Sequence, residues 1–209
     1  MALPPMLIIF IALVIFFTVH LKFGNKGYRK KMDTYIEAEE EVNQIRKKNL
    51  DETYFVKPDL NRLPIIEYNE ISDVSTCQNT AIQKSKLKMA RFGKQISNLE
   101  LKKIYGINNL QKIIDYEEHF NMYITALNKW AEALMKEGRL AESLHVLREA
   151  ALFGSDYLMT YTLLIDIYLK EGRRSEISRL KEDIQKDKFF ENPALKNRVL
   201  NYVNIKFGG

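Results

Sequence analysis

Cysteine is nearly missing from this chain: Cys77 stands alone among 209 residues. One thiol cannot form an intramolecular disulfide. That excludes a disulfide-stapled scaffold and suits a reducing compartment. Histidine is scarce too. His20, His119 and His145 are the full set, and none has a second ligand at metal-binding spacing. The nine glycines do not cluster, so no phosphate-cradling loop is available. Cys-x-x-Cys, His-Glu-x-x-His, Walker and Gly-x-Ser-x-Gly patterns do not occur. The sequence carries no enzyme signature and implies no cofactor or metal.

What is present begins at the N-terminus. Ala2 to Val19 contains no charge, and eleven of the thirteen residues from Leu7 to Val19 are Leu, Ile, Phe or Val. At roughly −0.3 to −0.6 kcal/mol each near a helix centre, they favour bilayer insertion by about 3 to 7 kcal/mol. Residues 3–21 are just long enough to cross a core of about 30 Å at about 1.5 Å per residue. A cleaved signal peptide would carry basic residues before the apolar run and a small-x-small site after it. Here Lys22, Lys26, Arg29, Lys30 and Lys31 all follow the run, and Val19-His20-Leu21 is a poor cleavage site. Positive charge marks the cytoplasmic side. The expectation is an uncleaved single-pass anchor over 1–23, with the N-terminus outside and the C-terminal domain in the cytoplasm.

Residues 24–50 read as a basic juxtamembrane helix or stalk, too sparse in apolar residues for a core face. Residues 51–75 lose helical periodicity and contain Pro58 and Pro64. Residues before proline avoid the α region, so extended structure is expected there. Tyr54, Phe55, Val56, Leu60, Leu63, Ile65, Ile66 and Tyr68 are too apolar for a free linker. This strap is expected to lie on a helical domain spanning 76–209.

Within that domain, residues 84–112 hold eight basic residues against Glu100 alone. The chain's net charge is +5, so the basicity is local. Lys84, Lys88, Arg91 and Lys94 are the candidate contacts to anionic lipid, at about 1 kcal/mol each near such a surface. Nucleic acid fits less well. No RNA-motif or helix-turn-helix signature occurs, and Phe92 and Tyr105 are not spaced as a stacking strip. Asn98 to Gly106 reads as a short helix ended by glycine. Asn108 or Asn109 would cap the next, and Asp115-x-x-Glu118 offers a capping box for the helix after it.

One tetrapeptide recurs. Lys136-Glu137-Gly138-Arg139 returns as Lys170-Glu171-Gly172-Arg173, and the glycines are 34 residues apart. Before the first, Leu127, Trp130, Ala131 and Leu134 fall on one helical stripe. Tyr161, Leu164, Ile165 and Tyr168 repeat that stripe before the second. A further helix is expected over 193–205, with Asn192 as N-cap, Pro193 at the first helical position, and Leu195, Val199 and Val203 on its apolar face. Backward the phase fails, because Ile104 stands where a turn glycine belongs.

Over residues 120–204 the pattern resembles the tetratricopeptide repeat, a helix–turn–helix unit of this period. The resemblance implies an all-α domain: hairpins over 120–152 and 156–187 and a capping helix over 193–205, to which the apolar run adds an N-terminal transmembrane helix. Ser143 is a conservative departure from the family's small residue. Ile165, Ile177 and Ile184 put larger residues at small positions, and Ser155 replaces the inter-repeat proline. The family's groove is lined by its first helices. The matching positions are Thr125, Asn128, Glu132, Met135 and Lys136, then Met159, Thr162, Asp166, Leu169 and Lys170, and all of them but Thr125 and Met159 are the candidate groove contacts. Glu132 and Asp166 place acid where a carboxylate-clamping member has asparagine, so a basic or amphipathic helical segment of a protein partner is the expected ligand. The arrangement as a whole also resembles uncharacterised single-pass membrane proteins of Gram-positive anaerobes, a likeness that implies no activity. The sequence thus suggests a membrane-tethered adaptor. A peripheral lipid- or RNA-binding domain built on 84–112, or a structural subunit of a membrane complex, are the alternatives.

Overall fold

The structure, a computed structural model, describes residues 6, 9–11, 13–18, 31–37, 50–92, 98–185 and 192–207. It is predominantly helical. The labelled helices are α1 (Asp73–Ser85), α2 (Asn98–Tyr105), α3 (Ile107–Lys136), α4 (Leu140–Leu152), α5 (Leu158–Lys170), α6 (Arg174–Gln185) and α7 (Pro193–Phe207). Two-residue strands β1 (Phe55–Val56) and β2 (Met89–Ala90) pair antiparallel, Phe55 opposite Ala90. The chain divides into two compact units, 1–48 with 98–110 and 49–97 with 111–209.

In the first unit, described residues between 9 and 18 and from 31 to 37 are helical and exposed. Among the described residues no helix is long and apolar enough to cross a membrane. Much of the expected anchor (1–23) and most of the expected stalk (24–50) lie outside the described residues. Helix α2 ends at Gly106, whose amide donates to the Lys102 carbonyl at 2.8 Å.

The second unit has three turns of one design, at Gly138, Gly154 and Gly172, and the first and last stand 34 residues apart. Helix α3 closes with Arg139 N–H donating to Leu134 C=O (2.9 Å) and Gly138 N–H to Met135 C=O (3.1 Å). Helix α5 closes identically, with Arg173 to Tyr168 (2.8 Å) and Gly172 to Leu169 (3.1 Å). This pair of bonds is the Schellman closure, and it needs a left-handed residue at the turn. Gly138 and Gly172 supply it at φ 76° and 68°. The residues following each stripe then start α4 and α6.

The core is the inner face of these hairpins. Trp130, Leu134, Leu147, Ile165, Ile177 and Ile184 are fully buried. Ser143 donates from Oγ to the Ala131 carbonyl at 2.8 Å, so its hydroxyl is satisfied inside the core. Ser155 fastens the turn between α4 and α5 by hydrogen bonds. Its Oγ accepts from Tyr157 N–H (3.2 Å), and its carbonyl accepts from the Tyr161 hydroxyl (2.7 Å). Helix α7 starts where Asn192 Oδ1 receives the amides of Ala194 (3.0 Å) and Leu195 (3.3 Å). Leu195, Val199 and Val203 point into the core, and Lys181 Nζ donates to Asn204 at 2.9 Å.

Two sequence expectations are corrected. No separate helix starts at Asp115: α3 runs unbroken for 30 residues. Nothing between Ile107 and Lys136 breaks a helix, since that stretch holds neither glycine nor proline. Asp115 instead accepts from Gln111 Nε2 at 2.8 Å along the helix surface. The strap over 51–75 is not continuously extended. Asp51 and Asp59 accept amides two residues on and nucleate 3₁₀ turns at Glu52–Tyr54 and Leu60–Arg62. Its last residues enter α1, which a Ser72–Ser75 capping box starts.

The strap does cover apolar surface. Leu63 is buried in the core cluster, and Val56, Leu60 and Tyr68 pack against it. Arg62 pairs with Glu149 at 2.9 Å, and Tyr68 Oη accepts from Arg139 Nη1 at 2.8 Å. The strap therefore runs antiparallel beside α4. Gln78, 3% exposed on α1, clamps it by a two-point bond: Nε2 donates to Ile66 C=O (2.6 Å) and Oε1 accepts from Ile66 N–H (3.1 Å).

Candidate functional site

The eight groove positions fall on α3 and α5, and the folded chain gives them different roles. Asn128 is buried, and its Oδ1 accepts from Thr160 Oγ1 at 2.9 Å. Thr160 in turn shares a hydrogen bond with Ser155 Oγ (2.7 Å), so Asn128 ties α3 to the start of α5. It cannot line an accessible groove, which corrects the sequence-based assignment: the position faces a neighbouring helix, not solvent. Asp166 accepts from Tyr202 Oη at 2.8 Å and is thus bonded to α7. Met135 and Leu169 are half-buried against the core cluster. Glu132 pairs with Lys136 at 3.3 Å, one helical turn on. Thr162 Oγ1 donates back to Met159 C=O at 3.1 Å. Lys136 and Lys170 are exposed. The two acids that suggested a basic ligand are therefore both engaged within the chain.

Of the basic candidates, Lys84 and Arg91 are half-buried and Lys88 is exposed. Lys84 places Nζ 3.6 Å from Met122 Sδ. Lys88 sits with Nζ 3.8 Å from the centre of the Phe55 ring and 5.4 Å from that of Tyr116. Its carbonyl is bonded to His119 Nδ1 at 2.8 Å. Arg91 lies over Gly154, where an added Cβ would stand 2.5 Å from the guanidinium carbon. Lys94 lies outside the described residues.

Concavities among the described residues of this unit include the following pair. One, of about 300 Å³, lies between α1 and α3, with Tyr157 closing one side. Thr80 and Lys84 face it from α1, and Met122, Ala126 and Lys129 from α3. The other, of about 420 Å³, lies along α4 beside Glu171 and Arg173. Its charged groups are paired: Arg173 with Glu171 (3.1 Å), Arg148 with Glu176 (3.7 Å) and Glu149 with Arg62.

Comparison with family models, with curated proteins and with solved structures gives no match to this chain. The site must be read from its own residues. Beside the first cavity, burial and then the charge of Asp156 raise the Glu117 carboxyl above its usual range. Burial, then the charge of Asp73, raises the Cys77 thiol, so it is a poorer nucleophile than a free cysteine. Among the described residues no group of three His, Cys, Asp or Glu side chains is placed to hold a metal. None of the eight groove positions lines either cavity. Of the residues around the first, Lys84, Glu118 and Thr125 were singled out by sequence, the first two for other reasons and Thr125 as a position matching the family's groove. The signal that could have found it is the helical register of Met122, Ala126 and Lys129 on one face of α3. Placing α1 against that face required knowing where the strap ends.

Proposed function

We propose that this chain is a membrane-tethered adaptor. Residues 3–21 span the bilayer with the N-terminus outside. The C-terminal domain, of tetratricopeptide type, binds a protein partner on the cytoplasmic side. The observation that carries this reading is the congruence of the turns at Gly138 and Gly172. The same two hydrogen bonds and the same left-handed residue recur 34 residues apart, each followed by an amphipathic helix. A stacked pair of hairpins of this kind presents its first helices as a binding face. Here the accessible part of that face is Glu132, Lys136, Thr162 and Lys170. Tethering raises the effective concentration of any partner in the same membrane without new contacts. Lys84 and Arg91 lie half-buried against the chain's own residues, which favours this reading over a lipid-binding basic patch.

The test is affinity recovery of the tagged full-length chain from crosslinked membranes. A defined protein set is expected with the wild type, reduced by Lys136→Glu with Lys170→Glu. Recovery of the same set by the double variant and by a chain lacking residues 111–209 would defeat the reading.

A further inference from the structure

The chemistry of the partner follows from one end of the cavity between α1 and α3. The floor is apolar, made by Met122 and Ala126, and Tyr157 walls that end. Three carboxylates gather there. Glu118 lines the cavity. Glu117 lies one turn before Asn121 on the same face of α3, and Asp156 precedes Tyr157; Asn121 and Tyr157 are both lining residues. Glu117 is half-buried, Glu118 and Asp156 are exposed, and none of the three enters an ion pair among the described residues. Burial, then the charge of Asp156, raises the Glu117 carboxyl, and no cation is among the causes. The cations nearby are placed elsewhere. Lys84 is half-buried with Nζ 3.6 Å from Met122 Sδ, and the Arg91 guanidinium packs over Gly154. From Glu118 to Lys129 the helix rises about 16 Å, well past the Debye length of about 8 Å at physiological salt. The charge left open at this end of the apolar hollow is negative.

We propose that this cavity docks a basic amphipathic segment of the partner protein, with one apolar side chain over Met122 and Ala126 and an arginine one turn away between Glu117 and Asp156. The proposal rests on the adaptor reading and names its ligand class. It moves the basic ligand expected from sequence to a different set of acids, since Glu132 is paired with Lys136 and Asp166 is bonded to Tyr202. A cation between two carboxylates that repel one another relieves both, and a guanidinium can bond to each at once. The exposed Tyr157 ring beside them offers that guanidinium an aromatic face. The one-turn spacing follows α3, where Met122 stands one turn beyond Glu118. Helix-in-groove recognition uses such an apolar anchor with flanking charge. Each partly exposed ion pair is worth a factor of about 2 to 5 in affinity. Two pairs, attractive to arginine and repulsive to glutamate, should set a preference of about tenfold or more.

The test uses the full-length chain in nanodiscs of zwitterionic lipid and two synthetic helical peptides with the same leucine spacing, one bearing arginines and one glutamates. The arginine peptide is expected to bind at least about tenfold more tightly at low salt, with the gap closing as salt is raised. Glu117→Gln, Glu118→Gln and Asp156→Asn together should bring the two peptides within about twofold of each other. Lys84→Gln with Lys129→Gln should leave the preference in place, and the emission of Trp130 reports that each variant is folded. Equal binding to the wild type, tighter binding of the glutamate peptide, no binding of either, a preference that survives the triple variant, or its loss in the lysine variant would each overturn the proposal. A photo-crosslinker placed in turn at Asn121 and Lys170 in cell membranes separates the two readings. Crosslinking to a basic segment from Asn121 supports both. Crosslinking to an acidic segment from Asn121, or from Lys170 alone, retains the adaptor and overturns the docking proposal. Silence at both positions defeats both.

Discussion

Gln78→Ala should loosen the strap from the helical unit, and its cost can be worked out from the structure. The side chain is 3% exposed and makes both of its hydrogen bonds to the backbone of Ile66, at 2.6 and 3.1 Å. A protein hydrogen bond is worth about 0.5 to 1.5 kcal/mol net, so the pair contributes about 1 to 3 kcal/mol. Ile66 is 42% exposed, so water can replace part of what is lost. That places the hydrogen-bond loss in the lower half of the range. Removing the buried methylene adds about 0.8 kcal/mol. The expected destabilisation is about 1.8 to 2.8 kcal/mol. Gln78→Glu should cost more, because it replaces the donor to Ile66 C=O by a second acceptor and brings a charge into a buried site. Trp130 is the one tryptophan and fully buried, so its emission reports urea unfolding of the full chain in micelles. Amide exchange should quicken at Ile66 and along 55–68 while α5 is unaffected. A Gln78→Ala midpoint within about 0.3 kcal/mol of wild type, with exchange at Ile66 unchanged, would refute the clamp.

Three further outcomes are expected. Gly138→Ala and Gly172→Ala should each cost about 1 to 2 kcal/mol, since the added Cβ has open space and only the left-handed backbone is strained. The two should match within about 0.5 kcal/mol and add, and unequal or coupled costs in urea titrations would show that the turns are not equivalent. A double-mutant cycle of Tyr202→Phe and Asp166→Ala should return a coupling of about 0.5 to 1.5 kcal/mol, below that of a buried charged bond because both groups are partly exposed. Above pH 10 the fold should weaken. Burial, then the hydrogen bond to Asp166, pushes the Tyr202 phenol up to about 12, and burial raises Tyr123 and Tyr161 as well. Phenols in the unfolded chain lose protons near pH 10 while the folded ones keep theirs. Stability is thus fully present below pH 10 and falls as pH climbs toward the folded values. Tyr202→Phe should flatten the decline between 10 and 12 in unfolding curves measured across that range.

Helical character was legible because its signals are local. A stripe at helical spacing needs only its own residues, and Gly138 and Gly172 mark their turns without reference to the rest of the fold. Asn192 and Pro193 announced α7 in the same way. The start of α3 was misread for a related reason: Asp115-x-x-Glu118 satisfies a capping pattern, but a cap forms only where the preceding residues leave the helix. Residues 107–114 hold no glycine or proline to stop a helix, and the longer helix wins. The strap was legible as apolar, yet its 3₁₀ turns depend on Asp51 and Asp59 bonding two residues ahead, which competes weakly with extended structure. The site was the least legible. Asn128 matched a groove position in sequence, and only the placement of Thr160 opposite it shows that it is interior. The α1–α3 cavity joins residues some 40 positions apart, and no local pattern carries that distance.

The adaptor reading stands or falls on whether the exposed first-helix face meets another protein while the chain is in its membrane. The direct measurement is site-specific photo-crosslinking of the full-length chain in intact membranes from Lys136 and Lys170. Controls sit at Arg179 and Glu182, exposed on α6. The account predicts one discrete protein adduct from the Lys136 and Lys170 positions and none from α6. Adducts of equal strength from all four positions, or from α6 alone, would contradict it.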